Sequence, residues 1–148
     1  MPLQFQIKPF SELTLEELYS ILRLRAQVFV VEQNCVYQDM DGKDKKALHV
    51  LGKKEYGLIG YARCFPPGAY FEEAAIGRVL IDSEHRKYGY GHQLLDASIK
   101  AIEGHFGTST IKLSAQTYLT RFYEAHGFKK IGGEYLEDGI PHTAMLKS

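Results

Sequence analysis

Arg86-Lys87-Tyr88-Gly89-Tyr90-Gly91 sets two adjacent cations beside two glycines within six residues, the composition of an anion cradle. Glycine lets the main chain approach a ligand with no Cβ in the way. A helix beginning at this loop leaves the N–H donors of its first turn without partners and carries about half a unit of positive charge. Arg86 and Lys87 add full charges beside it, and a diphosphate is the anion best matched to both. Two common nucleotide loops do not fit. The mononucleotide pattern GxxxxGK[ST] is absent. The dinucleotide fingerprint needs a third glycine three residues past Gly91, where Leu94 stands. It also needs an acid at the end of the next strand, which here reads Leu113-Ser114-Ala115-Gln116.

The flanking elements must hold this loop at a strand-to-helix junction. Upstream, IGRVLID contains the continuous apolar run Val79-Leu80-Ile81. Such a run suits an interior strand covered on both faces. Downstream, Leu95, Ile99, Ile102 and Phe106 recur at i, i+4, i+7 and i+11, one face of an amphipathic helix.

Length and charge narrow the function classes. A chain of 148 residues is read as one domain spanning 1–148, long enough to bury about 70% of its extended-chain surface. Its 18 basic and 18 acidic residues cancel, so no global field draws nucleic acid or an anionic membrane. No apolar stretch reaches the ~20 residues needed to span a bilayer. The start MPLQFQIKPF lacks the basic and apolar regions of a secretion signal. Cys35 and Cys64 form no CxxC pair and read as reduced thiols of an intracellular chain. No partner made of nucleic acid or lipid is expected, and nothing chooses between a monomer and a homodimer.

Along the chain, Leu3, Phe5 and Ile7 alternate with polar residues in a first strand ended by Pro9. Thr14 and Glu17 form a capping box for a helix carrying Leu18, Ile21, Leu22, Arg25 and Phe29, predicted to run to about Val30. Residues 33–46 lose periodicity and read as a solvated turn. Asp39, Asp41 and Asp44 lack the glycine position of a calcium-binding loop. A strand over 48–51, a turn at Glu55-Tyr56-Gly57 and a partner over 58–65 form a hairpin stopped by Pro66-Pro67-Gly68. The central strand and helix follow, the helix ending at Gly107. A strand opens at Ile111, a short helix spans 118–126, and strands at 128–131 and 143–146 flank a turn at Glu137-Asp138-Gly139. The order β, α, β, β, β, α, β, α, β, β predicts a mixed sheet with helices packed on it, an α/β or α+β class.

Arg86, Gly89 and Gly91 resemble the pyrophosphate-binding motif of the GCN5-related N-acetyltransferases (GNAT). A second stretch, QTYLTRFYEAHGF over 116–128, is similar to the family's segment after the fifth strand. Tyr123 matches its tyrosine and Gly127-Phe128 its Gly-Phe pair. Gln116 departs from the usual Asn, and Leu119 from a small residue. LRAQVFVVEQNCVYQDMDGKD and YLEDGIPHTAM, with Ser-Ala-Gln at 114–116, resemble the ElaA-like branch. The element order matches the family's fold, except that the 33–46 loop stands where a second helix is usual.

The resemblance implies a small cytoplasmic enzyme that moves an acetyl group from acetyl-CoA to an amine of a small molecule or peptide, with no metal. Arg86, Lys87, Tyr88, Gly89, Tyr90, Gly91 and the N–H of His92 would hold the phosphates. Val79, Leu80 and Ile81 would pair with the pantetheine arm as another strand does, and Gln116 would bond its amides. An N–H near Leu80 or Ile81 would stabilise the oxyanion formed when the amine attacks the thioester. Tyr123 is assigned to protonate the departing thiolate, since a phenol with a reference pKa of about 10 is protonated at neutral pH. The base is open between Glu32 and His142, with Glu72 or Glu73 weaker. Arg63 is open between a substrate carboxylate and an internal acid. His85 and His92 lack metal-ligand spacing.

Two other readings stay on the page. The R-x-x-V-F spacing at Arg25 and the acidic loop after it faintly resemble acyl-homoserine-lactone synthases, another acyl transfer on this fold. Their acyl-carrier-protein donor is bound differently, and the intact R-x-x-G-x-G argues against that reading. A coenzyme A-binding sensor without chemistry is the non-enzymatic alternative.

Overall fold

The capping box forms as its spacing predicts. Thr14 Oγ1 accepts from the Glu17 N–H at 3.0 Å, and the Glu17 carboxylate accepts from the Thr14 N–H at 2.9 Å. Such a cap contributes about 1 kcal/mol to the helix it opens. Glu17 also receives Lys8 and Lys53, at 2.9 and 3.1 Å, which ties the helix to the first two strands. Burial opposes the charge, but the Thr14 N–H and the two lysines outweigh it and hold the carboxyl at about 2. Helix α1 spans Leu15–Arg25 and then widens into a π-helical turn, Ala26–Glu32. The helical path therefore runs past Val30 and delivers Glu32 to the cleft described below.

The computed structural model describes residues 3–55 and 57–148, so Tyr56 of the expected turn lies outside the described residues. Strands β1 (Gln4–Pro9), β2 (Leu48–Lys54), β3 (Gly57–Phe65), β4 (Ala74–Ile81), β5 (Ile111–Gln116), β6 (Lys129–Glu137) and β7 (Ile140–Lys147) form one mixed sheet. Their spatial order is β1-β2-β3-β4-β5-β7-β6. Helices α2 (Tyr90–Phe106) and α3 (Thr120–Glu124) complete the predicted element order. Alternation along the strands divides the core between two faces. Val50, Ala62 and Ile81 pack with Leu94, Leu95 and Ile102 of α2. Leu51, Tyr61 and Leu80 point the other way and pack with Ile21 of α1. Among the described residues no helix is long and apolar enough to cross a membrane.

Two local departures shape the cleft. The β3–β4 register slips between Tyr61 and Arg63, and Arg78 opposite it has a φ of +52°. A bulge of this kind bends its strand and increases the local twist. Beyond it, β4 and β5 part company. They pair in parallel only at Ala74↔Ile111 and Ala75↔Lys112, leaving facing edges with no ladder between them.

The 33–46 segment contains no helix beyond a short 3-10 turn at Asp44–Lys46, and most of it is exposed as expected, but its aspartates are not merely solvated. Asp39, Asp41 and Asp44 pair with Arg25, Arg63 and Arg78, and Asp39, Arg25 and Arg63 are buried. The last two strands are longer than the sequence suggests. All nine residues of β6 are exposed, so burial imposes no alternating pattern on them. The turn between them falls where expected, with Asp138 and Gly139 both at positive φ, the requirement of a two-residue hairpin.

Candidate active site

The gap between β4 and β5 opens a cleft of about 530 Å³. One end is made of main chain. Gly89, at φ +75°, caps α2 with no side-chain bond, and the first intrahelical donor is the Gln93 N–H to the Gly89 carbonyl at 3.3 Å. The N–H groups ahead of it, those of Gly91 and His92 among them, have no carbonyl behind them in the helix. A Cβ on Gly91 would stand 3.3 Å from the Phe122 ring, so this turn packs directly on α3. Lys87 sits in the same loop at φ +76°, a conformation that strains any residue with a Cβ. Tyr88 is on the loop but 65% exposed and outside the cleft lining, its ring beside Tyr90 and the Lys54 ammonium.

Arg86 bridges the two sides of this end. Its Nε donates to the Ile81 carbonyl at 3.0 Å, and its two Nη donate to Glu32 at 2.5 and 3.1 Å. Glu32, a candidate base, is thus an ion-pair partner of Arg86. The His92 ring was not foreseen as part of a chain. Its Nδ1 lies 2.7 Å from His126 Nε2, and His126 Nδ1 lies 3.0 Å from Asp96.

Strand alternation selects the edge groups. Asp82 N–H bonds the Ile59 carbonyl at 2.7 Å, so the main chain of Leu80 also turns to β3. The N–H groups facing the gap are then those of Val79 and Ile81. Across the gap, Gln116 and Gln33 exchange amide hydrogen bonds, each 3.3 Å.

Tyr123 lines the cleft at 7% exposure, edge-on to Phe122 and Phe128. Burial raises its pKa above the ordinary phenol value, so it holds its proton. Burial also pushes the Cys64 thiol up to about 12, the behaviour expected of any thiol in this interior.

The other end is built from side chains. His142 Nδ1 donates to the Ile140 carbonyl at 2.7 Å, so in the neutral ring Nε2 is the acceptor. That Nε2 faces Glu137 Oε2 at 3.4 Å, and the ring stacks on Tyr135. Ser114 Oγ contacts the Tyr135 hydroxyl and donates to Glu137 at 3.3 Å. Ser114, Tyr135 and Glu137 were missed as site residues, because only the β5-β7-β6 register brings them beside His142. Glu72 and Glu73 are not part of the lining.

Arginines back this end. Arg63, 1% exposed, bonds Asp41 at 2.6 and 2.9 Å and Asp44 at 3.0 Å, so it meets internal acids. Arg25 joins Asp39 and Asp44, and Arg78 bonds the Asp39 carboxylate at 2.7 Å and its carbonyl at 2.9 Å. Burial alone would lower the Arg63 pKa, but Asp41 and Asp44 raise it. The carboxyls of Asp41 and Asp44 are held well below the usual range, the arginine bonds outweighing burial.

A family model described as an acetyltransferase (GNAT) domain matches residues 11–148. A UPF0039 protein of Schizosaccharomyces pombe is 42% identical over 145 residues, 97% of this chain and 95% of its own. ElaA of Escherichia coli is 39% identical over 147 residues, 98% of this chain and 96% of its own. Its crystal structure is similar at a TM-score of 0.92, with 38% identity and 99% of both chains covered. An acyl-CoA N-acyltransferase from Pseudomonas aeruginosa has the same score, identity and coverage. With a glycine-loop junction, a parted β4–β5 pair and full-length relatives of this kind, the chain belongs to the GNAT acetyltransferase family, in its ElaA-like branch.

Proposed function

We propose that this protein is an N-acetyltransferase, moving an acetyl group from acetyl-CoA to a primary amine of a small molecule or peptide by direct attack in a ternary complex. The observation that carries the reading is the ladder-free gap between β4 and β5, which ends on the uncapped first turn of α2. A strand-like arm terminated by a diphosphate fits that shape and charge. Acetyl-CoA supplies an acyl group already activated as a thioester.

The chain's own groups do the rest. The Gly91 and His92 N–H groups, with Arg86 and Lys87, hold the phosphates, and the edge of β4 with Gln116 holds the arm. The N–H groups of Val79 and Ile81 are the donors for negative charge at the carbonyl oxygen. Tyr123 protonates the departing sulfur. Its raised pKa keeps the phenol protonated and able to donate. His142 Nε2 takes the proton from the amine, its tautomer fixed by the Ile140 carbonyl. Glu32 has both oxygens on Arg86 and serves to place that cation.

Replacing Tyr123 with Phe tests the scheme. Turnover should fall about 100-fold or more while the Kd for coenzyme A by calorimetry is unchanged. Undiminished turnover removes Tyr123 from the reaction. A parent protein that binds the carrier yet releases no thiol with any amine is the sensor instead.

A further inference from the structure

We infer that the acceptor is an aliphatic diamine, a cation with no carboxylate, whose reacting ammonium sits between Glu137 and His142. The inference rests on the transferase reading and names its substrate class.

The first argument is the state of the cations that line the cleft. Arg63 and Arg78 reach the acceptor end, but each is bonded to Asp39, Asp41 or Asp44. Arg86 is held by Glu32 at the phosphate end. Asp39, Asp41 and Asp44 balance Arg25, Arg63 and Arg78 one for one, so this cluster brings no net positive charge to the acceptor end, although Arg63 Nε has no hydrogen-bond partner. The acids are distributed differently. Glu137 and Asp138 line the same end, and among the described residues neither pairs with a lysine or arginine.

The second argument is independent of that charge pattern. His142 is 7% exposed, and its Nδ1–H is committed to the Ile140 carbonyl. Its Nε2 makes no hydrogen bond among the described residues, lines the cleft, and faces Glu137 Oε2 at 3.4 Å. A carboxylate at this distance from a ring nitrogen needs one donor for the contact, supplied either by a proton on Nε2 or by a group set between the two. An ammonium carries three donors and a positive charge, which satisfies both at once. It then gives one proton to Nε2, which leaves an amine with a free lone pair and an imidazolium beside the Glu137 carboxylate. A second ammonium finds Asp138 next along the hairpin.

A carboxylate on the acceptor would meet Glu137 and Asp138 at an end where the three arginines are already balanced by three aspartates. 1,5-Diaminopentane and lysine have the same carbon chain and the same two amines, and differ by that one group. Thiol release from acetyl-CoA should therefore show kcat/KM at least tenfold higher for the diamine. In the double variant Glu137→Gln, Asp138→Asn the preference should shrink to near one through a rise in the diamine KM, with the calorimetric Kd for coenzyme A unmoved as the check on folding. Equal use of lysine by the parent overturns the inference, as does a preference that survives the double variant. Thiol release with n-pentylamine but with neither diamine nor lysine overturns it while leaving the transferase reading in place. Absence of coenzyme A binding overturns both.

Discussion

Under the proposed function, the two ends of the cleft would each hold a charged group, and they are built for it by opposite means. The phosphate end is main chain: helix amides, a left-handed glycine and the unladdered edge of β4. The acceptor end is side chain: Ser114, Glu137, His142, Arg63 and Arg78, backed by Arg25 and three aspartates of the 39–44 loop. A site made of backbone depends on fold and on a few small residues. A site made of charged side chains depends on every partner being present. The first is robust to substitution and the second is brittle.

Asp44→Ala breaks the comparison hardest. It leaves Arg25 and Arg63 each short of a bond in a buried setting, and urea unfolding should show a loss of about 3–5 kcal/mol. The surviving folded protein should bind coenzyme A as before.

Acid should attack the same end. Asp41 and Asp44 have folded pKa values below the ordinary 3.8, so the unfolded chain takes up protons first as pH falls. Their contribution is complete above that value and is lost on descending through and below it, at up to about 1.4 kcal/mol per pH unit per carboxyl. Equilibrium unfolding at a series of pH values from 6 to 3 measures the slope.

Arg86→Ala should weaken coenzyme A binding about tenfold and cost under about 1 kcal/mol of stability, because its pair with Glu32 is largely exposed. The smallest effect sharpens the contrast by its sign. Lys87→Gly relieves a φ of +76° and should stabilise the fold by about 0.5–1 kcal/mol, while loss of the charge weakens carrier binding severalfold. Melting and calorimetry on one sample read both.

What could be read in the sequence follows the same division. The cradle lies within residues 86–92, the capping box within four residues and the hairpin turn within three, so local chemistry specifies each. Arg25 meets Asp39 across 14 positions, Arg78 meets Asp39 across 39, and Arg86 meets Glu32 across 54. Partners so far apart leave no spacing to recognise, and Asp39 reads as solvated because its burial is made by other elements. Glu137 is the same case. In one dimension it is a turn residue, and only three adjacent strands make it a neighbour of His142.

The Gln33–Gln116 amide pair has a consequence for what the cleft admits. Two carboxamides bonded reciprocally at 3.3 Å form a weak clasp, and separating them releases donors and acceptors in equal number. A pantetheine arm seated there, as proposed, would bring amides that replace those bonds in kind, so its entry would be close to neutral in hydrogen-bond count. A small thioester without that arm opens the clasp and replaces nothing. Under the proposed function the clasp would select acyl donors by their peptide-like stems, before the acyl group itself is tested.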